Sequence, residues 1–467
     1  MRLIKSKFAN ENYISKVVRI ESFTKHPNPE VTRMKVAHVG GYNVIVGIDE
    51  QPGLFVYFQV NSQLNPELLA YLNLYEKPEM NRDTTQKGLF NVKGRVKAIK
   101  LKGFESYGFL LPYSKLQEWV LSSVNVKLPE EEDGTEFDEV EHNGKEFWVS
   151  KKYIIQTNLP RQRGSNKNNK RLKYFDRVIE NQFRFHYETL LLRKDPHVIS
   201  SDDLIHISSK WHGTSAISAY VITKTPLSWY EKLYNLFVPR DRRITGVKYD
   251  YLVASRKVVI NNDDTIRAGY YGDNEFRMKA DSILRPFMAK GMTLYYEIVG
   301  FTDKGSYIQK NYDYGCMPPK EGEIYTVGKH YKIYVYRITY TNVDGHVYEL
   351  STQEVQRIVK SWNVAGVLPV IQFYYGYANS LYPAPTEEEL SNFEGDWDKW
   401  FMEKMANDKN FFMEELSPDC ANKVPHEGIV IKKESGRSEA WKLKCFKFLN
   451  KEQKELDKGE ANIEDNA

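Results

Sequence analysis

The segment that most constrains this chain is Ser209-Lys210-Trp211-His212-Gly213-Thr214-Ser215, which follows the apolar alternation of Leu204 to Ile207. Side chains along a strand repeat every second residue, so the alternation predicts a strand that ends at the lysine. Gly213 allows a tight turn there. Any fold the chain adopts must therefore hold Lys210 at a strand end beside a glycine turn. An amine fixed in that way can attack a nucleotide phosphate, provided that other segments bring cations and a metal to it.

Length and composition bound the rest. With 467 residues the chain is long enough for more than one core. Cys316, Cys420 and Cys445 are scattered without C-x-x-C spacing, which implies neither a disulfide framework nor a cysteine-built zinc site and fits a reducing, cytoplasmic setting. The start, Met1-Arg2-Leu3-Ile4-Lys5, leads into polar sequence, and no later stretch approaches the ~20 apolar residues that span a bilayer, so no membrane partner is expected. A net charge of +4 permits nucleic-acid binding without arguing for it. The 32 tyrosines fit β-rich cores, and such rings also stack on bases.

The fold class expected is α+β. Short strands are predicted at Lys16 to Ile20, Met34 to Val39, Tyr42 to Gly47, Leu54 to Val60 and Gly94 to Lys100, with a hairpin at Gly40-Gly41 and a turn at Pro27-Asn28-Pro29. Strands at this spacing suggest a small barrel over residues 1–155. His26-Pro27-Asn28-Pro29 and Gly103-Phe104-Glu105-Ser106-Tyr107-Gly108 resemble OB-fold modules of the tRNA-binding type. Glu130 to Asp133 reads as a solvated acidic loop, and Asn143-Gly144 closes a second hairpin. Arg161, Arg163, Lys167, Lys170, Arg171 and Lys173 give residues 156–175 the character of a basic linker.

Residues 176–450 mix helices with strands. Trp229 to Phe237 has helical spacing, with Tyr230, Leu233, Tyr234 and Phe237 on one face. Ser351 with Glu354 and Thr386 with Glu389 form capping boxes that start two further helices. Residues 451–467 are charged and poor in apolar groups, and read as a helical end that frays into a tail.

Further segments carry the residue types that Lys210 needs. Arg256 follows a strand rich in Tyr and Val, and its planar fork suits a phosphate or a ribose. Leu294-Tyr295-Tyr296-Glu297-Ile298-Val299-Gly300 embeds one carboxylate in an apolar strand, and a buried carboxylate needs a hydrogen-bond donor or a metal. Tyr334 and Tyr336 share a strand face. His426-Glu427-Gly428-Ile429-Val430-Ile431-Lys432 places a second glutamate at a strand start. In Trp441-Lys442-Leu443-Lys444 both lysines project to one face, a repulsive arrangement that a polyphosphate between them relieves. Each segment alone has an ordinary structural explanation. Their joint order, Lys, Arg, Glu, Tyr, Glu, Lys-x-Lys, is much harder to reach by chance.

That order resembles the covalent nucleotidyltransferases, the superfamily of ATP-dependent RNA and DNA ligases and capping enzymes, and Lys-Trp-His-Gly resembles the RNA ligase branch. With Arg184-Phe185-His186 upstream and an OB-like module in front, the chain is similar to the RNA ligases that carry an N-terminal OB domain. The resemblance implies an OB-like β-barrel followed by an adenylyltransferase (ATP-grasp-like ligase) domain of antiparallel sheets with helices. It implies ATP as the nucleotide, with AMP as the covalent adduct on Lys210, and Mg²⁺ or Mn²⁺ as the metal. Neighbouring cations would lower the lysine from its ordinary pKa of ~10.4. Catalytic roles fall to Lys210, Lys442, Lys444 and Glu427; nucleotide contacts fall to Lys210, Arg256, Glu297, Tyr336, Lys442 and Lys444; Glu427 and Glu297 would hold the metal, through water.

The partner implied is nucleic acid with 3′-OH and 5′-phosphate ends, RNA or an RNA/DNA duplex, acted on by a monomer. Arg337 departs from the acidic residue that many relatives carry after the stacking aromatic, and His212 reads as a family marker. A DNA ligase or capping enzyme usually continues into a C-terminal OB domain, for which few residues remain here. A non-catalytic RNA-binding protein retaining the fold is the other alternative.

Overall fold

The computed structural model describes residues 1–155, 176–260, 275–435 and 439–459. The basic segment 156–175 lies outside the described residues.

Residues 1–155 form short antiparallel strands whose turns are written in the sequence. Gly40, in the left-handed region at φ 55°, turns strand Met34–Val39 into Tyr42–Gly47, with Val39 opposite Tyr42. Asn143 and Gly144, both at positive φ, turn Glu139–His142 into Lys145–Trp148. These strands do not close into one continuous ladder. Among the described residues they fall into five small sheets, the largest ordered Phe109–Pro112, Gly53–Phe58, Ser15–Ile20, Glu136–Phe137. Side chains bridge the gaps, as where Ser106 Oγ accepts from the Ile45 N–H at 2.9 Å. Ala98–Leu101 forms a hairpin with Phe104–Tyr107, later than the expected start at Gly94, which instead turns at φ 61° under the Leu69 side chain.

The second half is built on two sheets. One is ordered Leu190–Leu191, Ala440–Lys444, Gly428–Lys433, Leu204–Ser209, Gln372–Tyr377. The other runs Val247–Ala254, Thr214–Lys224, Met292–Gly300, Tyr331–Thr341, Val347–Glu349, with Val367–Pro369 beside Tyr331–Thr341. All pairs in the two sheets are antiparallel except Leu190–Leu191 with Ala440–Lys444 and Val367–Pro369 with Tyr331–Thr341. Strand Met292–Gly300 is buried at every position, which explains its nearly unbroken apolar run. Ser351 and Thr386 cap their helices through the Glu354 and Glu389 N–H groups.

Helix Trp229–Phe237 forms where its spacing predicts, with a capping box from Ser228 and Glu231. Its apolar face has no cover among the described residues, however: Tyr230 and Phe237 are 61% and 80% exposed. The last helix, Phe446–Asp457, runs beyond residue 450 into the stretch expected to fray. Arg95 holds it there, donating to Gln453 O at 3.1 Å and to Asp457 Oδ1 at 2.6 Å. No described helix is long and apolar enough to cross a membrane.

Candidate active site

Lys210 stands where the chain leaves one sheet and enters the other, between strands Leu204–Ser209 and Thr214–Lys224. Its N–H donates to Gly428 O at 2.9 Å, which ties the lysine to the start of strand Gly428–Lys433. Gly213 is needed for close approach, since a Cβ there would lie 2.4 Å from Ile298 O. Its carbonyl accepts from Gln309 Nε2 at 2.6 Å. Trp211 stacks on Tyr334 with ring centroids 3.8 Å apart, so of the paired tyrosines Tyr334 braces the turn while Tyr336 faces the space between the sheets.

That space is a cavity of about 150 Å³, and Lys210, Arg256, Glu297, Tyr336, Lys442 and Lys444 all line it. Glu427 lies against its lysines, almost fully buried, with Oε1 2.8 Å from Lys210 Nζ and 3.7 Å from Lys444 Nζ. The seven residues singled out from the sequence thus converge on one place. Sheet register explains how: Val430 pairs with Lys442 and Gly428 with Lys444, so the two lysines flank Lys210 on the cavity face while Trp441 and Leu443 enter the core behind.

Glu297 finds the partner its burial requires in Ser215, directly opposite in the ladder, whose Oγ donates to Oε2 at 2.9 Å. Arg256 pairs with Glu188 at 3.3 Å. The Tyr336 hydroxyl lies 3.3 Å from His186 Nδ1. Arg337 is satisfied by Glu349 at 2.8 Å, which also takes Lys432 at 2.7 Å, and it lies over the rings of Tyr187 and Tyr295. His212 is wedged edge-on between Tyr312 and Phe448, its Nδ1 3.9 Å from Glu427 Oε2, and its backbone N–H donates to the Tyr314 hydroxyl.

Crowding of cations shapes the electrostatics. Burial, then Lys444, Lys210 and Arg256, push Lys442 down to about 7, with Glu188 opposing. Burial alone would raise Glu188, but Lys442, Arg256 and Lys152 hold it below the ordinary carboxylate value. Burial and Lys432 lower His206 to about 4, and burial likewise lowers His426, whose Nε2 lies 3.0 Å from Ser209 Oγ. Both imidazoles are neutral at pH 7.

The sequence missed several members. Glu188 follows the Arg184-Phe185-His186 segment without a signal of its own. Lys152 and Asn61 reach the cavity from the first half of the chain, which no local pattern reveals. Glu452 lies in the charged end, 3.3 Å from Lys444 Nζ, and accepts from Asn61 Nδ2 at 3.2 Å. The apolar spacing of Phe446, Leu449 and Leu456 was the available sign of a docked helix.

The donor set suits a hard cation poorly dehydrated. Glu427 and Glu297 offer carboxylate oxygens in a buried, cation-rich place, too few to encase an ion, which fits a Mg²⁺ or Mn²⁺ that keeps most of its waters. Among the described residues a tight three-ligand cluster, His197, Asp396 and Asp398, occurs elsewhere in the chain and not at this cavity.

No protein-family model and no curated protein matches the chain. Two solved structures of Naegleria gruberi RNA ligase variants, each with ATP and Mn, are similar over 95% of this chain and 99% of theirs, with TM-scores of 0.52 and 0.51 at 15% identity. At that identity the likeness is one of fold, and it extends over both halves: the chain shares the architecture of the Naegleria gruberi RNA ligase.

Proposed function

We propose that this protein is an ATP-dependent RNA ligase that works through a lysyl-AMP intermediate. The observation that carries the reading is the convergence of Lys210, Glu427, Lys442 and Lys444 at one end of a cavity whose walls hold Glu297 and Tyr336. Lys210 Nζ attacks the α-phosphorus of ATP, the N–P bond forms as the bond to pyrophosphate breaks, and the amine loses a proton. Lys442 and Lys444 neutralise charge developing on the α-phosphate. Glu297 accepts a hydrogen bond from the ribose, Tyr336 stacks on adenine, and Arg256 contacts a phosphate or the strand end. Glu427 and Glu297 would hold a divalent metal through water, and it would supply charge neutralisation at the phosphates. AMP then passes to a 5′-phosphate, and a 3′-hydroxyl displaces it to seal the strand.

Residues 1–155 act in this reading as an OB-like module, residues 156–175 as a basic linker, and residues 176–450 as the adenylyltransferase unit. The protein works as a monomer in the cytoplasm, a setting supported by three free cysteines. The reading favours repair of nicks or breaks in RNA over a DNA ligase or capping role. Sealing tests it: with ATP and Mg²⁺ or Mn²⁺, 5′-phosphate and 3′-hydroxyl RNA strands at a nick should join, with all-DNA nicks joined more slowly. Equal or faster joining of all-DNA nicks overturns the RNA assignment.

A further inference from the structure

The helix Phe446–Asp457, which begins one residue after Cys445 and so directly behind Lys444, has two faces of different character. The inner face buries Phe446, Phe448 and Leu456 and sends Glu452 to Lys444. On the other, Lys447, Lys451, Lys454 and Lys458 follow one another at spacings of four, three and four, a single stripe on a 3.6-residue helix. The stripe floors an open groove of about 510 Å³ whose opposite wall is Leu416 and Pro425. Pro425 stands two residues before Glu427, and its carbonyl accepts from the Tyr312 hydroxyl at 2.9 Å, so the groove begins at the outside of the turn that carries that carboxylate.

Four lysines and one glutamate, Glu455, line this groove. Glu455 pairs with Lys451 at 2.6 Å, and Lys451 also lies over the Tyr312 ring. Lys447 donates to Glu414 O. Lys454 and Lys458 are exposed and have no ion pair among the described residues. At the start of the helix the Glu414 carboxylate accepts from the Phe446 and Lys447 N–H groups, and Lys454 suits the C-terminal end of the dipole, but lysines four apart repel. A polyanion in the groove relieves that repulsion. The stripe spans about 16 Å of helix, enough for several phosphates.

We infer that this groove holds the phosphodiester backbone of the polynucleotide being joined. The inference rests on the ligase reading but is separable from it. Its test replaces Lys447, Lys454 and Lys458 together by Gln in the full chain and measures affinity for a nicked RNA duplex and for single-stranded RNA against salt. Labelling with ATP is followed in parallel. The wild-type slope of log affinity on log salt should flatten by about 2 to 3, at about 0.7 to 0.9 per lost phosphate contact. Affinity should fall at least tenfold while AMP labelling and thermal midpoint stay at wild-type levels. A matched triple of exposed lysines off the groove, Lys290, Lys320 and Lys360 to Gln, should change the slope little. Wild-type affinity and slope in the groove triple, or an equal loss in the matched triple, overturns the groove assignment alone. Absence of AMP labelling in the wild type overturns instead the reading beneath it.

Discussion

Lys442 carries the sharpest consequence at the scale of single residues. Its pKa is depressed from 10.5 to about 7, first by burial and then by Lys444, Lys210 and Arg256. Between those values the unfolded chain holds the proton and the folded chain does not. This group therefore makes the nucleotide-free protein gain stability as pH rises from about 7 toward 10.5. Phosphates bound beside it reverse the preference and return the proton. Nucleotide binding at pH 8 should thus take up protons, seen in calorimetry as a dependence of the heat on buffer ionisation enthalpy. Lys442→Arg should abolish that uptake. Equal proton uptake by the two proteins would show that Lys442 is already charged in the empty site.

At the scale of elements, what the sequence revealed depended on whether the signal was local. The hairpins at Gly40 and Asn143-Gly144, the capped helices and the alternating Trp441 to Lys444 strand follow from chemistry within a few residues, and they form as expected. Convergence of the seven site residues was legible from their order, although the register that aligns Lys442 with Val430 was not. Two elements form as helices in settings that their own sequence does not show. Helix Trp229–Phe237 has an apolar face without a cover among the described residues. The end of the chain, read as a tail, is held by Arg95, whose side chain is fully buried against Asn61, Gln453 and Asp457. Arg95→Met removes those bonds and should cost about 1–3 kcal/mol. It should also speed amide exchange across residues 446–457 and lower AMP labelling, because Glu452 loses its place beside Lys444. Unchanged exchange in that helix would refute the clamp.

Considered whole, the molecule joins its two halves through more than a linker. Asn12 donates to Thr189 O at 3.1 Å and accepts from the Leu191 N–H at 3.0 Å, and Asn10 reaches Glu188 at 3.0 Å. Phe446 belongs to the apolar cluster of the first half, beside Val18, Tyr57 and Tyr107. With shared core and shared hydrogen bonds, thermal unfolding should be one calorimetric transition, and two resolved transitions would show that the halves are independent. The same union places Asn61 and Lys152 at the cavity, so the intact chain is the unit in which the chemistry should be sought. The most direct measurement is incubation of the full-length protein with α-labelled ATP and Mg²⁺ or Mn²⁺, followed by peptide mapping of the adduct. The account predicts one AMP bound covalently at Lys210 and none in Lys210→Ala. A folded wild-type protein that stays unlabelled, or a label on another residue, would contradict it.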